Sequence, residues 1–338
     1  MINLSIQKAL QQIKDDALQS VYFVYGQEYY LIEQVKQAFF ERLKITNDSL
    51  NFANFDCEET DFSIIYEELQ AMPFFDDYRL VFMEQPFFLT SDKKSWEQTQ
   101  IDQLVEYLKN PVPSTILVVF ASYEKIDERK KLSKQLKKSG ILIDVHPLNE
   151  TEVTSYIQQY LENEAISFNR ETLAYFLKYC DYQLTKAMQE LQKINLYLAD
   201  EKQLTKTIID QLIPKTLEQN IFELTQNVLL GNKAQALQLF DELCLQGEEP
   251  IKMIAILIGQ LRLFIQTKFL MSKGYQQANI AEELKVHSYR VKLAMQDVRK
   301  YETQRLFALF NQLVELDFQI KTGQVDKYFA FQLFMLKV

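Results

Sequence analysis

Along the first 146 residues, short continuous apolar runs alternate with stretches whose apolar residues recur every three or four positions. Helix spacing opens the chain from Leu4 to Ile13, and the run Val21-Tyr22-Phe23-Val24-Tyr25 follows, stopped by Gly26. Leu31, Val35, Ala38, Phe39 and Leu43 then share one helical face. The alternation continues with strands predicted over 51–57, 79–83, 115–120 and 141–145, and helices over 62–69, 96–108 and 130–138. Buried strands separated by helices predict a parallel sheet covered by helices, an α/β domain over 1–146. At His146-Pro147 the pattern changes, and only the helical period remains. Asn149 ahead of Glu150 and Glu152 predicts a helix start, because its side chain caps free amides and the acids favour the helix dipole. Further helices are predicted over 170–179 and 184–198. Pro214 marks a second boundary, and helices over 221–229, 234–245, 251–271, 286–299, 303–323 and 327–336 follow. The reading is three domains: 1–146, a small helical one over 147–212, and a long helical one over 213–338.

The stretch Gln70-Ala71-Met72-Pro73-Phe74-Phe75-Asp76-Asp77 interrupts this regularity. Phe62, Ile65 and Leu69 form one helical face before it, and Pro73 cannot continue a helix and biases Met72 out of the α region. Neighbouring side chains diverge in a turning backbone, so Phe74 and Phe75 do not both bury easily in one local core. Two readings stand: Met72 and one phenylalanine fill a gap beside the next strand, or the group is an apolar plug for a partner's pocket.

The strand–glycine–helix unit at 21–43 suggests a nucleotide site, and its residues argue against one. A phosphate loop of the form GxxxxGK[ST] needs a second glycine, a lysine for the phosphates and a hydroxyl for magnesium. Counting from Gly26, those positions hold Leu31, Ile32 and Glu33. The strand 79–83 ends in Glu84 alone, where a magnesium-binding strand has paired acids. Two histidines, His146 and His287, and three scattered cysteines, Cys57, Cys180 and Cys244, offer no zinc spacing and no hydrolase constellation; the thiols read as reduced, in a cytoplasmic protein. No signal peptide is legible in Met1-Ile2-Asn3-Leu4, and the apolar run Met253 to Leu263, broken by Gly259, Gln260 and Arg262, is too short to span a bilayer.

Composition adds that the 338 residues are ordinary for a globular protein, 47% hydrophobic and 25% charged, with few glycines and prolines (7 each) and therefore much helix. The net charge of −9 is uneven: −7 over residues 1–146, −4 over 147–212 and +2 over 213–338. An acidic body does not suit autonomous binding to a nucleic-acid backbone. For the basic run Arg129, Lys130, Lys131, Lys134, Lys137, Lys138 there are two readings, a phosphate-contacting patch and a solvated helix face, and the acidic surroundings and absence of interleaved aromatics favour the second.

Several phrases together resemble the δ subunit family of the bacterial DNA polymerase III clamp loader. They are Tyr25-Gly26-Gln27-Glu28-Tyr29-Tyr30-Leu31, Gln70-Ala71-Met72-Pro73-Phe74-Phe75, Met188-Gln189-Glu190-Leu191-Gln192-Lys193-Ile194, Ile221-Phe222-Glu223-Leu224-Thr225, Gln260-Leu261-Arg262-Leu263 and Asp317-Phe318-Gln319-Ile320-Lys321-Thr322-Gly323, in matching order along the whole chain. One departure is Cys180-Asp181, where relatives usually carry a glycine. The resemblance implies an AAA+-like first domain with a degenerate phosphate loop, a three-helix lid and a helical collar. It implies that Met72, Pro73, Phe74 and Phe75 bind the β sliding clamp, and that the subunit opens the ring for loading onto primed DNA without hydrolysing ATP. It further implies a pentamer with the motor (τ/γ) and δ′ subunits, and DNA contact only through the loader. No cofactor, metal, membrane or small-molecule substrate is implied; the subunit is a non-catalytic part of a holoenzyme with DNA-directed DNA polymerase activity (EC 2.7.7.7). The rival readings are an active AAA+ ATPase with an atypical phosphate loop, opposed by the missing lysine, hydroxyl and paired acids, and a helical adaptor unrelated to replication, which leaves the ordered phrases unexplained. No Ser-Arg-Cys phrase, the arginine-finger signature of the motor subunits, occurs.

Overall fold

A computed structural model describes residues 3–4, 6–91, 96–198 and 202–337. The chain divides into two compact units, Met1–Val153 with Gln183–Gln189, and Thr154–Tyr182 with Glu190–Val338.

In the first unit, β1 (Asn3–Leu4), α1 (Ile6–Asp15), β2 (Val21–Tyr25), α2 (Tyr29–Leu43), β3 (Phe52–Asp56), α3 (Phe62–Gln70), β4 (Arg79–Glu84), α4 (Gln98–Lys109), β5 (Thr115–Ala121), α5 (Lys131–Ser139) and β6 (Ile141–Asp144) alternate as the apolar pattern requires. Among the described residues the strands form one six-stranded sheet in the order β1-β6-β2-β5-β4-β3, every pair parallel. The chain leaves β2 for the far edge at β3, returns through β4 and β5, and crosses to the other side of β2 for β6. All seven residues of β5 are buried, as a central strand covered on both faces demands. Strand alternation divides the core. Val21 and Phe23 pack with Ile65, Leu69, Leu104 and Leu136 from α3, α4 and α5, while Tyr22 meets Phe39 of α2 edge-on on the other face, 4.8 Å between ring centroids.

The sequence reading is corrected in detail. Leu4 lies in an edge strand and the first helix starts at Ile6, with Ser5 outside the described residues, as are Met1 and Ile2. The helix expected from Trp96 starts at Gln98, because Glu97 and Gln100 form a capping box there and Trp96 stacks on Phe88 at 4.1 Å instead.

Four helices follow: α6 (Glu150–Asn163), α7 (Arg170–Tyr179), α8 (Leu184–Leu198) and the short α9 (Lys206–Leu212). Asn149 caps α6 as predicted, its Oδ1 accepting from the amides of Thr151 (3.0 Å) and Glu152 (3.1 Å). Then come α10 (Leu217–Leu230), α11 (Lys233–Leu245), α12 (Pro250–Ser272), α13 (Gln277–Leu284), α14 (Ser288–Asp297), α15 (Thr303–Lys321) and α16 (Lys327–Lys337). Helices α9 and α13 are absent from the sequence reading. Each is short and offers a single fully buried residue, Ile209 or Ile280, so neither has a face for periodicity to register. The second unit's core gathers Ile221, Leu224, Leu257, Phe264, Leu306 and Phe331 around α12. By length and composition α12 is long and apolar enough to cross a membrane, and half of its most apolar window is buried in this core.

Candidate functional site

The loop between α3 and β4 carries the phrase singled out from the sequence. Helix α3 buries Phe62, Ile65 and Leu69, and it ends where expected: Ala71 is extended (φ −67°, ψ 139°) ahead of Pro73. The last turn is held from outside, because the Leu69 carbonyl accepts hydrogen bonds from the hydroxyls of Tyr107 (3.3 Å) and Thr115 (3.2 Å). Burial pushes the Tyr107 phenol up to about 12, so it stays a donor throughout the neutral range. Beyond this anchor the side chains turn outward. Met72 is 80% exposed, Phe74 56% and Phe75 94%. Pro73 is half-buried, and Asp76 and Asp77 are exposed. The gap-filling alternative for Met72 and the phenylalanines is thereby removed. The two rings meet each other edge-on, 4.5 Å between centroids.

Phe75 has φ +59°, the left-handed region. That conformation costs a non-glycine residue roughly 1–2 kcal/mol. A bulky aromatic held there while almost wholly in water needs its surroundings to fix it. They do so through Asn51, which the strand pattern did not single out. Its side chain is buried (3% exposed) at the amino end of β3. Asn51 Oδ1 accepts from the Phe74 amide (2.6 Å), and Nδ2 donates to the Phe74 carbonyl (2.9 Å) and to Asp76 Oδ2 (2.6 Å). Arg79 braces the same corner: it pairs with Glu68 of α3 and donates from Nη1 to the Leu50 carbonyl (2.8 Å). The sequence signal, faint alone, is an asparagine heading a strand, where asparagine is depleted.

The glycine turn at the other end of the sheet is built differently. Gly26 has φ +134°, and a Cβ there would lie 2.2 Å from the Val145 carbonyl carbon. The Glu28 amide donates to the Val145 carbonyl (2.8 Å), and the Tyr30 amide donates to Thr185 Oγ1 (3.0 Å), whose hydroxyl in turn donates to the Glu28 carboxylate. Amides that a phosphate cradle leaves free are therefore engaged within the protein. Leu31 and Ile32 are buried in the core, and Glu33 pairs with Lys36 at 3.1 Å. Lys36 pairs also with Glu84 at 3.1 Å. Burial acts to lower the Lys36 pKa, but the Glu84 and Glu33 carboxylates outweigh it and the net shift is upward. An open cleft of ≈ 480 Å³ lies here, lined by Lys36, Glu84, Phe40, Phe52 and Asn54 among others, with its charges already paired. Among the described residues no group of three or more His, Cys, Asp or Glu side chains is placed to hold a metal ion. The basic run of α5 is largely spent on neighbours: Lys131 pairs with Asp102, Lys137 with Glu128, and Lys130 donates to the Phe88 carbonyl.

Comparison with known proteins decides the family. Residues 22–146 match the family described as DNA polymerase III, delta subunit, and residues 218–338 match its C-terminal domain. A curated relative, DNA polymerase III subunit delta of Bacillus subtilis, is 34% identical over 331 residues, 97% of this chain and 95% of the relative. This chain belongs to the DNA polymerase III delta subunit family. The solved structure of the Bacillus subtilis DNA clamp loader delta protein matches with a TM-score of 0.79 at 33% identity, covering 98% of both chains. A probable delta subunit of Aquifex aeolicus is 21% identical over 59% of this chain and 57% of its own length. The likeness to the Bacillus structure thus extends over α/β sheet and helical domains alike, the fold class that the delta resemblance implied.

Proposed function

We propose that this delta-family subunit binds a β sliding clamp through Met72, Pro73, Phe74 and Phe75 and opens the ring for loading onto primed DNA, without hydrolysing ATP itself. The observation that carries this is the tip: three large apolar side chains held in water on a loop whose backbone is fixed by buried partners. Exposed apolar side chains on an ordered loop are costly unless a partner covers them, and aromatic anchors entering a pocket supply most of an interface's energy. The subunit works in the cytoplasm, in a pentameric loader with motor and δ′ subunits. Residues 1–146 are its clamp-facing domain, 147–212 its lid and 213–338 its collar, and DNA is reached through the assembled loader. The filled glycine turn, with Leu31, Ile32 and Glu33 in place of glycine, lysine and hydroxyl, supports a non-catalytic role over an ATPase with an atypical loop.

The test is a titration of the purified full chain with its cognate sliding clamp, followed by a clamp-opening assay with a fluorophore pair across the ring interface. Saturable binding accompanied by ring opening is expected. A folded chain that leaves the clamp unbound and closed overturns the proposal.

A further inference from the structure

The tip's apolar side chains stand in water, so their own packing cannot define where they point. Their geometry must come from the backbone beneath them. Among the described residues, the only hydrogen bonds that reach the backbone between Met72 and Tyr78 are the two that Asn51 makes to Phe74. A side-chain amide has one acceptor oxygen and two donor hydrogens, and Asn51 directs both ends into this loop: the oxygen to Phe74 N–H, the nitrogen to Phe74 C=O and Asp76 Oδ2. Its own main chain is fixed in turn, since the Asn51 carbonyl accepts from the Leu80 amide (2.8 Å) at the head of the β3–β4 ladder, and its amide donates to Ser49 Oγ (3.2 Å). Asn51 therefore ties the sheet directly to the residue that precedes the left-handed Phe75.

We propose that Asn51 is a positioning residue for partner binding: it presets the Phe74–Phe75 tip in its docking geometry, so that the partner does not have to order the loop on contact. The inference rests on the clamp reading above. A loop that must be ordered at binding loses affinity to that ordering, and a preorganised one does not. Asparagine is required by the pattern. Aspartate would turn a carboxylate oxygen toward the Phe74 carbonyl and the Asp76 carboxylate, and leucine would leave Phe74 N–H and C=O without partners.

The test measures clamp affinity by calorimetry and folding by thermal melting, for the full chain with Asn51→Leu, with Phe74→Ala/Phe75→Ala, and with all three changes together. Asn51→Leu is expected to weaken clamp binding at least 10-fold in the parent and to change it less than 2-fold where both phenylalanines are already gone, since coupling of this kind marks residues that act through each other. Equal weakening in both backgrounds, or parent-like binding by Asn51→Leu when the double phenylalanine variant has lost binding, overturns the positioning role and leaves the clamp reading standing. Parent-like binding by the double phenylalanine variant overturns the clamp reading itself. Because a buried asparagine is changed, a second pair tests the same bond from the exposed side. Asp76→Asn keeps an acceptor for Asn51 Nδ2 and is expected to bind like the parent, whereas Asp76→Ala, with the same loss of charge, is expected to bind about 3-fold more weakly. Identical affinities for these two variants count against the proposal.

Discussion

Truncating both tip phenylalanines to alanine separates docking from folding, because the structure assigns the two side chains such different environments. Phe75 is 94% exposed and Phe74 56%, so together they retain about one and a half side chains' worth of surface for a partner to cover and bury about half of one in the free protein. Full burial of a phenylalanine contributes roughly 1.5–3 kcal/mol. The loss to folding is then about 1 kcal/mol, with a further ~0.5–1.5 kcal/mol for the edge-on contact between the rings. The loss to a complex that covers the tip is about 2–4 kcal/mol, some 30-fold to several hundred-fold in affinity. A core pair of this size costs roughly 6 kcal/mol or more when truncated and would unfold the first unit. The assay is a thermal melt of the Phe74→Ala/Phe75→Ala chain beside a clamp titration at the same temperature. A midpoint within several degrees of the parent, with affinity reduced as above, is expected. A collapse of the midpoint while the remaining folded protein still binds the clamp would refute the reasoning.

Phe75→Gly relieves the left-handed strain but gives up the ring contact with Phe74 and adds unfolded-chain entropy, so stability is expected to stay within about 1 kcal/mol of the parent in a denaturant melt while clamp affinity falls. Gly26→Ala forces a Cβ against the Val145 carbonyl at a φ open only to glycine; a loss of roughly 3 kcal/mol or more is expected in a denaturant melt, and a parent-like midpoint contradicts the packing described. Titration with magnesium ATP is expected to give no heat at micromolar nucleotide. Installing Leu31→Gly, Ile32→Lys and Glu33→Thr together is expected to lower stability without creating a site, since Leu31 is core and the neighbouring amides are engaged; micromolar binding by either protein refutes this.

Much of this architecture was legible in the chain. The runs at 21–25, 79–83 and 115–120 read as strands because they are short, rich in β-branched and aromatic residues, and suited to a doubly covered sheet, where they lie. The helix before the tip announced its own end, since Pro73 is visible without a structure. Exposure of the tip was partly legible: divergence of adjacent side chains argued that at least one phenylalanine is displayed, and the structure displays both. The anchor at Asn51 was not legible, because it lies 23 residues from Phe74 in sequence and only strand register brings Phe52 beside Leu80 and so Asn51 to the foot of the loop. Thr185 was hidden for the same reason, meeting the glycine turn from 155 residues beyond Tyr30. Periodicity reports which face of an element is buried, and it carries no information about which distant polar side chain closes a loop.

The exposed tip and the glycine turn sit at opposite ends of one parallel sheet, so the proposed docking does not depend on a nucleotide site. In parallel α/β sheets, nucleotides bind beyond the carboxyl ends of the strands, near the point where the strand order reverses. Here that end holds Gly26, Glu84 and the chain after β6, closed by Val145 and Thr185. The tip loop precedes β4, and Asn51 precedes β3, so both belong to the amino end. Arg79, which braces the tip, and Glu84, which neutralises Lys36, are the first and last residues of β4. Filling the nucleotide end with buried leucine and isoleucine therefore leaves the register of β3 on β4 untouched, and that register is what aligns Asn51 with the tip. The proposed docking would require rigidity at this end: a strained Phe75 and a half-exposed Phe74 keep their places only while the sheet beneath them is fixed, and the β3–β4 register with Asn51 supplies that anchor.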